Sequence, residues 1–431
     1  MSSSESVDPA FAEVERVFTP RMERRNRIIF VSATLLLFLA VPVIYVGPVQ
    51  AALCQRLGAS NSIANLPSAA NLFGQLAPFF LSSLIAHRHE RLTVVLSNAV
   101  TSVSCLIIAV FLTFDLPASV RIAVLVGQGL LQGFTAATSL VFMYQCLGRG
   151  MSVEGRSRTL KHTFTVGPLA AVAGSLFTQY ILNHGFAWLE YPYDFAFIYL
   201  YSSVCTFAIA IFVSRYELIP VPDDPPSSPL AYLKQTIIDY MRSRIYVRLW
   251  IAYALWYCTY AVIPNLGLFS REVLHRNPEE VAGLIMALRF GGKSVIGYLL
   301  GVLALRYGIR APLVTTVTFL GFATLLGWVL PGYGYLFSFV ILGGGELGGA
   351  YFPNYIVSVS PLSAGVRNLS LLTLATPVAS LGAIVHGALA DRWGFPASFL
   401  FGIVTAGLSL LLVLGLPTRP TAIRESGGGG P

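Results

Sequence analysis

The chain has 431 residues, of which 55% are hydrophobic and only 11% charged, and its mean hydropathy is +0.69. A soluble domain carries roughly a quarter charged residues, so composition excludes an ordinary water-soluble globule and indicates an all-α polytopic membrane protein. The formal net charge of +8 does not indicate nucleic acid, because the basic residues sit in short connections between apolar runs.

Residues 1–27 form a polar, charged tail with an amphipathic helical pattern over 11–25. They do not read as a cleavable leader, since the first apolar run is long enough to span. Twelve apolar spans are expected, at 28–53, 63–86, 92–114, 119–147, 161–183, 193–214, 246–270, 279–305, 311–330, 333–358, 366–389 and 396–416. Most exceed the roughly 20 residues that a helix needs to cross a bilayer. Helices are the open-chain solution, because lipid offers backbone groups no partner. The longest connection, 215–245, starts with five prolines (Pro220, Pro222, Pro225, Pro226, Pro229) and turns helical in pattern from Leu230 to Arg244. The expected domains are therefore a tail (1–27), a six-helix bundle (28–214), a linker (215–245), a second six-helix bundle (246–416) and a disordered tail (417–431).

Charge sets the orientation. Of the 28 Lys and Arg residues, 21 fall on the side of the termini and five on the other, and Arg289 and Lys293 remain inside spans. That asymmetry places both termini in the cytoplasm of a cell whose inner membrane the chain crosses, and it requires an even number of spans. The five cysteines, Cys54, Cys105, Cys146, Cys205 and Cys258, have neither metal-ligand spacing nor the pattern of a disulfide framework. No nucleophile-and-base arrangement, phosphate loop or ligand set is present. An enzyme, a metal, a cofactor and an ATP-driven pump are therefore not expected.

Two stretches half a chain apart are alike. One reads Ser-Leu-Ile-Ala-His-Arg-His-Glu-Arg over 83–91 and the other Gly-Val-Leu-Ala-Leu-Arg-Tyr-Gly-Ile-Arg over 301–310. Both resemble the major facilitator superfamily signature Gly-x-Leu-Ala-Asp-Arg-x-Gly-Arg-Lys. The second keeps Gly301, Leu303, Ala304, Arg306, Gly308 and Arg310, with Leu305 in place of the Asp. The first keeps Ala86, Arg88 and Arg91, with Ser83, His87 and Glu90 in place of Gly, Asp and Gly. Leu57-Gly-Ala-Ser60 leading to Asn71-Leu-Phe-Gly74 is similar to the family's second helix. Leu131-Gln-Gly133 is similar to its fourth-helix motif, with Gly129 where an arginine is usual. Gly167-Pro168 resembles the start of the antiporter signature, with Ala171-Val172 replacing its Gly-Gly, and Pro377 stands at a similar point of the eleventh span. Gly387-Ala-Leu-Ala-Asp-Arg-Trp-Gly394, leading to Phe399, resembles the last outer turn. The resemblance covers 28–416. It implies two six-helix bundles that rock about a central cavity lined by the first, fourth, seventh and tenth helices. It also implies a cytoplasmic latch at Arg88, Arg91, Arg306 and Arg310, weakened here because both copies lack the Asp. The alternative is that these arginines only set topology.

The polar residues at membrane depth carry the functional reading. Glu346 lies about 18 Å below the outer end of its span and Lys293 about 21 Å below Glu279, at 1.5 Å per residue. Arg289 is one turn from Lys293 on the same face. A charge inside a membrane needs a partner, so the three are expected to meet. Two cations against one carboxylate suit an anionic solute, or a carboxylate that takes a proton during a cycle. The alternative is a static salt bridge. Gly344 with Gly348, and Gly345 with Gly349, form small-residue pairs that let helices approach. Stripes at helical spacing add Gln128, Gln132, Thr135 and Ser139; Tyr253, Trp256, Tyr257 and Tyr260, with Pro264-Asn265 beyond; Ser68, Asn71 and Gln75; and Tyr351 with Asn354. His386 is a secondary proton candidate. The expected protein is a monomeric secondary transporter of a small polar or anionic solute, in contact with membrane lipid. Proton coupling through Glu346 and uncoupled diffusion both stand. A transporter-like sensor or assembly subunit, and a lipid or drug exporter, are the rival readings.

Overall fold

The computed structural model describes residues 18–45, 47–81, 85, 87–183, 186, 188–220, 237–238, 240–360 and 365–418. Residues 11–17 of the amphipathic pattern at 11–25 fall outside them, as do most of the linker and the C-terminal tail. Every regular element described is a helix. The first half of the chain gives α1 (Pro20–Ile44), α2 (Pro48–Arg56), α3 (Asn61–Gly74), α4 (Ala77–Leu81), α5 (Glu90–Thr113), α6 (Ala118–Gly150), α7 (Val153–Leu182) and α8 (Tyr193–Ser214). The second gives α9 (Arg244–Tyr260), α10 (Ile263–Leu268), α11 (Ser270–Val273), α12 (Pro278–Tyr307), α13 (Arg310–Val329), α14 (Phe337–Gly345), α15 (Gly348–Val359), α16 (Gly365–Thr373), α17 (Ala375–Trp393) and α18 (Phe395–Leu414). Among the described residues, eight helical stretches are long and apolar enough to cross a membrane. Large apolar side chains such as Leu96, Val103, Val204, Phe207, Val295 and Leu411 stay exposed on the outside, which is where lipid stands in for a core.

Five of the twelve stretches expected to span are interrupted rather than continuous. Four interruptions share one cause. Helices α1, α3, α9 and α16 end at Ile44, Gly74, Tyr260 and Thr373, each four residues before a proline: Pro48, Pro78, Pro264 and Pro377. A proline has no N–H to give the carbonyl four residues back, and its ring clashes with that carbonyl. Pro42, Pro67, Pro168 and Pro353 lie inside helices without ending them, so neighbouring packing decides which prolines break. The fifth interruption, at Glu346-Leu347, lies in a run of glycines, the residue type least committed to a helix.

Helix α5 packs on α6 and α8, α1 on α7 and α8, and α3 on α6. In the second half α12 packs on α14, α13 on α14 and α18, and α9 on α17 and α18. The halves meet where α3 lies along α17 and α7 along α12. Polar links between them gather at the end opposite the termini. Arg56 pairs with Glu279 at 2.5 Å, Asp391 accepts from the Asn61 and Ser62 N–H groups, and Asn65 donates to Asn265 at 2.6 Å. Gln179 receives the Leu284 N–H and donates to the Glu280 carbonyl. At the end of the termini, the named polar contacts tie each half to itself. Arg149 pairs with Glu90, Asn26 bonds to Gly150 and Glu217, and Arg248 reaches Gly415.

Candidate functional site

Helix α12 begins with Pro278 in its first turn, and both the N–H and side-chain amide of Asn277 donate to Glu280. From that start the helix presents Arg289 and, one turn on, Lys293. Helix α14 lies against this surface because residue 343 is glycine. A Cβ there would stand 2.0 Å from the Arg289 carbonyl oxygen and 2.8 Å from the Lys293 nitrogen. That approach puts Glu346, the residue that caps α14, within reach of both cations. Trp256 of α9 braces the break, with its indole N–H on the Gly345 carbonyl at 3.3 Å and its ring against Gly348.

The two carboxylate oxygens of Glu346 are divided between the cations. Arg289 Nε donates to Oε1 at 2.6 Å and Nη2 lies 2.5 Å from the same oxygen. Lys293 Nζ donates to Oε2 at 3.2 Å. The environments differ: the side chains of Arg289 and Glu346 are 0% and 1% exposed, while that of Lys293 is 21% exposed. The Arg289–Glu346 contact is thus shorter, charge-assisted and dry, whereas the lysine is longer-bonded and wetter. Tyr45, at the break between α1 and α2, places its ring 5.6 Å from both cations, and the Phe290 ring lies 5.4 Å from Lys293. Ring faces attract cations, so these two side chains join the charge cluster around the lysine. Tyr45 and Phe290 are functional candidates that the sequence reading missed. The signal for Tyr45 was Pro48, which ends the helix one residue before it.

The structure gathers some of the other candidates and separates the rest. Tyr253, Trp256, Tyr257 and Tyr260 form a stacked face on α9, with Phe352 4.7 Å from Tyr253. Tyr253, Trp256 and Tyr260 are buried, and Tyr257 is half-buried with its hydroxyl on Tyr253. Trp256 of this face donates to the Gly345 carbonyl, so the face continues to the residue before Glu346. Asn354 is exposed. The polar stripe on α6 divides. Gln128 and Gln132 turn to a small cavity shared with Ser68 and Asn71, whereas Thr135 bonds Thr101 at 2.7 Å and Ser139 receives Asn98 at 2.9 Å, both on α5. Those last two hold helices of one half together. Arg91 donates to the Tyr216 carbonyl at 2.8 Å and Arg310 to the Leu416 carbonyl at 2.9 Å, each within its own half. Arg88 and Arg306 are exposed. His386 is buried between Ser398 and the Cys258 carbonyl. Among the described residues no group of three His, Cys, Asp or Glu side chains converges as a metal site would.

Helical stretches that can cross a membrane, apolar outer faces and a buried charge cluster make this a multi-pass membrane protein. No protein-family model and no curated protein matches the sequence. Solved structures match the fold. A D-xylose–proton symporter aligns with a TM-score of 0.70 at 13% identity, over 93% of this chain and 99% of its own. A variant of the nucleoside transporter NupG aligns at 0.68 and 13%, over 90% and 98%. An auto-inhibited peptide transporter of the POT family aligns at 0.64 and 15%, over 92% and 96%. The chain has the major facilitator fold.

Proposed function

We propose that the protein is a secondary transporter that moves a small anionic solute by alternating access, with Lys293 as the solute-facing charge. The observation that carries this reading is the unequal burial of the triad: Arg289 and Glu346 are sealed while Lys293 reaches a wetter space beside Tyr45. Two cations against one carboxylate leave a net charge of +1, which a solute anion balances at a cost below that of an uncompensated buried charge. In this reading the twelve stretches form two six-helix bundles, both termini are cytoplasmic, and the links between halves at Arg56, Asp391 and Asn65 close the outer end. The solute then enters or leaves from the cytoplasmic side of this conformer.

The coupled form of the mechanism uses Glu346. When an anion draws Lys293 away, Oε2 loses its hydrogen-bond donor, and protonation of Glu346 then returns the occupied site to the net charge of +1 that it has when empty. A proton-coupled sugar carrier among the structural neighbours supports this form, though its substrate is its own. The static role remains for Arg289, which holds Glu346 in place throughout. The test starts with a thermal-shift screen of small carboxylates, phosphates and neutral sugars on purified protein. The anion that shifts melting is then followed into proteoliposomes with and without a pH gradient. Glu346→Gln is expected to abolish the gradient-dependent part of uptake. Uptake that ignores this substitution would leave the triad as a brace and sink the coupled mechanism.

A further inference from the structure

A second polar site lies in the first half of the chain, independent of the transport reading. Where α1 breaks, Gln50 of α2, Ser68 and Asn71 of α3, and Gln128 and Gln132 of α6 surround a cavity of about 10 Å³, closed by Ile44, Pro67 and Gly129. That volume is about what one water centre needs. The three glutamines are 7%, 4% and 4% exposed. Their fully buried side-chain atoms without a partner are Gln50 Oε1, Gln128 Nε2 and Gln132 Oε1. Gln50 is oriented by its own Nε2, which donates to the Val43 carbonyl beside the helix break. Its free oxygen is therefore not a matter of which way the amide is drawn.

We propose that this cavity binds one water molecule, which donates to Gln50 and Gln132 and accepts from Gln128. Two acceptors and one donor are the complement of a water molecule, whereas a solute hydroxyl has one proton for two acceptors and the cavity has no room for the rest of a solute. Leaving three buried amide groups unmet would cost free energy at each, and native interiors satisfy such groups. The cavity cannot close to remove the need. Its wall is a backbone contact between α3 and α6: a Cβ at Gly129 would stand 2.4 Å from the Pro67 carbonyl oxygen, and one at Gly133 would stand 1.9 Å from that of Asn71. The helices are already as close as backbones permit. The bound oxygen ties α2, α3 and α6 together at the point where α1 stops, so it supports the geometry that places Tyr45 beside Arg289.

A density map that resolves ordered water, recorded on protein as purified and on protein dialysed free of small solutes, tests the assignment. One peak within hydrogen-bond distance of all three amide atoms is expected. Persistence after dialysis is expected, and loss of the peak on dialysis would mean a co-purified solute and overturn the assignment to water. Gln132→Leu supplies an independent reading. If the site is occupied, leucine expels the oxygen and strands Gln50 and Gln128, so Tm falls by about 2 °C or more. If the site is dry, leucine removes an unmet acceptor and fills space, so Tm rises. No peak in either preparation, or a higher Tm for Gln132→Leu, overturns the proposal.

Discussion

The carboxylate of Asp391 sits on the amino end of the helix that begins at Asn61, with Oδ1 2.8 Å from the Asn61 nitrogen and Oδ2 2.8 Å from the Ser62 nitrogen. Gly387, one turn before Asp391, makes the approach possible, because a Cβ there would stand 2.7 Å from Ser62 Cα. The first N–H groups of a helix have no partner inside it, and a negative charge placed there is favourable. The aspartate missing from the stretches 83–91 and 301–310 is thus present in the Gly387–Gly394 turn, where it joins the two halves at the end opposite the termini. Since Asp391 is exposed, the contact contributes about 1 kcal/mol, or roughly fivefold in a two-state balance. Asp391→Ala is expected to shift the halves apart at this end by that factor, read as a grown long-distance population between spin labels at residues 118 and 276. An unchanged distribution would mean that the contact does not bias the conformers.

Gly343 is expected to be intolerant of a single methyl group. The 2.0 Å approach of its Cβ position to the Arg289 carbonyl oxygen involves backbone on both sides, so neither helix yields cheaply. Gly343→Ala should cost about 1–3 kcal/mol and weaken the Glu346 contacts, lowering Tm in detergent. Gly291→Ala is the control, since nothing lies within 4 Å of its Cβ position. If both variants melt alike, the close approach is not what holds α14 on α12.

The pairing of Glu346 with Arg289 and Lys293 was legible because charges at membrane depth are rare and three of them at one level leave few alternatives. The helix breaks were less so. Each of Pro48, Pro78, Pro264 and Pro377 marks an end four residues upstream, yet Pro42, Pro67, Pro168 and Pro353 do not, and only packing separates the two groups. The α6 stripe was legible only in part, for a related reason. Spacing shows that Gln128, Gln132, Thr135 and Ser139 share a side of the helix, but whether that side meets a cavity or α5 depends on a neighbour the spacing does not name. Tyr45 could not be found by helical spacing, because it works from a break, marked only by Pro48, and not from a helical face.

Arg289 and Lys293 are expected to differ in what their loss does. Removing Arg289 leaves a sealed carboxylate with one wetter partner, and breaking a buried pair costs about 3–5 kcal/mol. Arg289→Met should therefore melt well below the parent protein. Lys293→Met leaves the dry Arg289–Glu346 pair intact, so its Tm should fall by less, while the melting shift produced by an anion should vanish. Equal losses of stability, or an anion response that survives without Lys293, would count against the division of roles.

Pro48 is expected to act on the charge cluster without touching it. Tyr45 now has an extended backbone, φ −103° and ψ 142°, and its ring reaches Arg289 and Lys293 from that position. Pro48→Ala restores the N–H that the Ile44 carbonyl lacks and removes the ring clash, so α1 gains the means to run on into α2. A helical Tyr45 would turn its ring away from the cations. Attraction of a ring to a cation is about 1 kcal/mol at a partly wetted site, so anion affinity should change roughly fivefold. Pro48→Ala and Tyr45→Ala should then give the same change, with Tm kept or raised in the proline variant. Tyr45→Phe should keep the parent affinity, because the cations meet the ring face and not the hydroxyl. If Pro48→Ala binds the anion as the parent does, the break at the first helix is an accident of the chain and not part of the site.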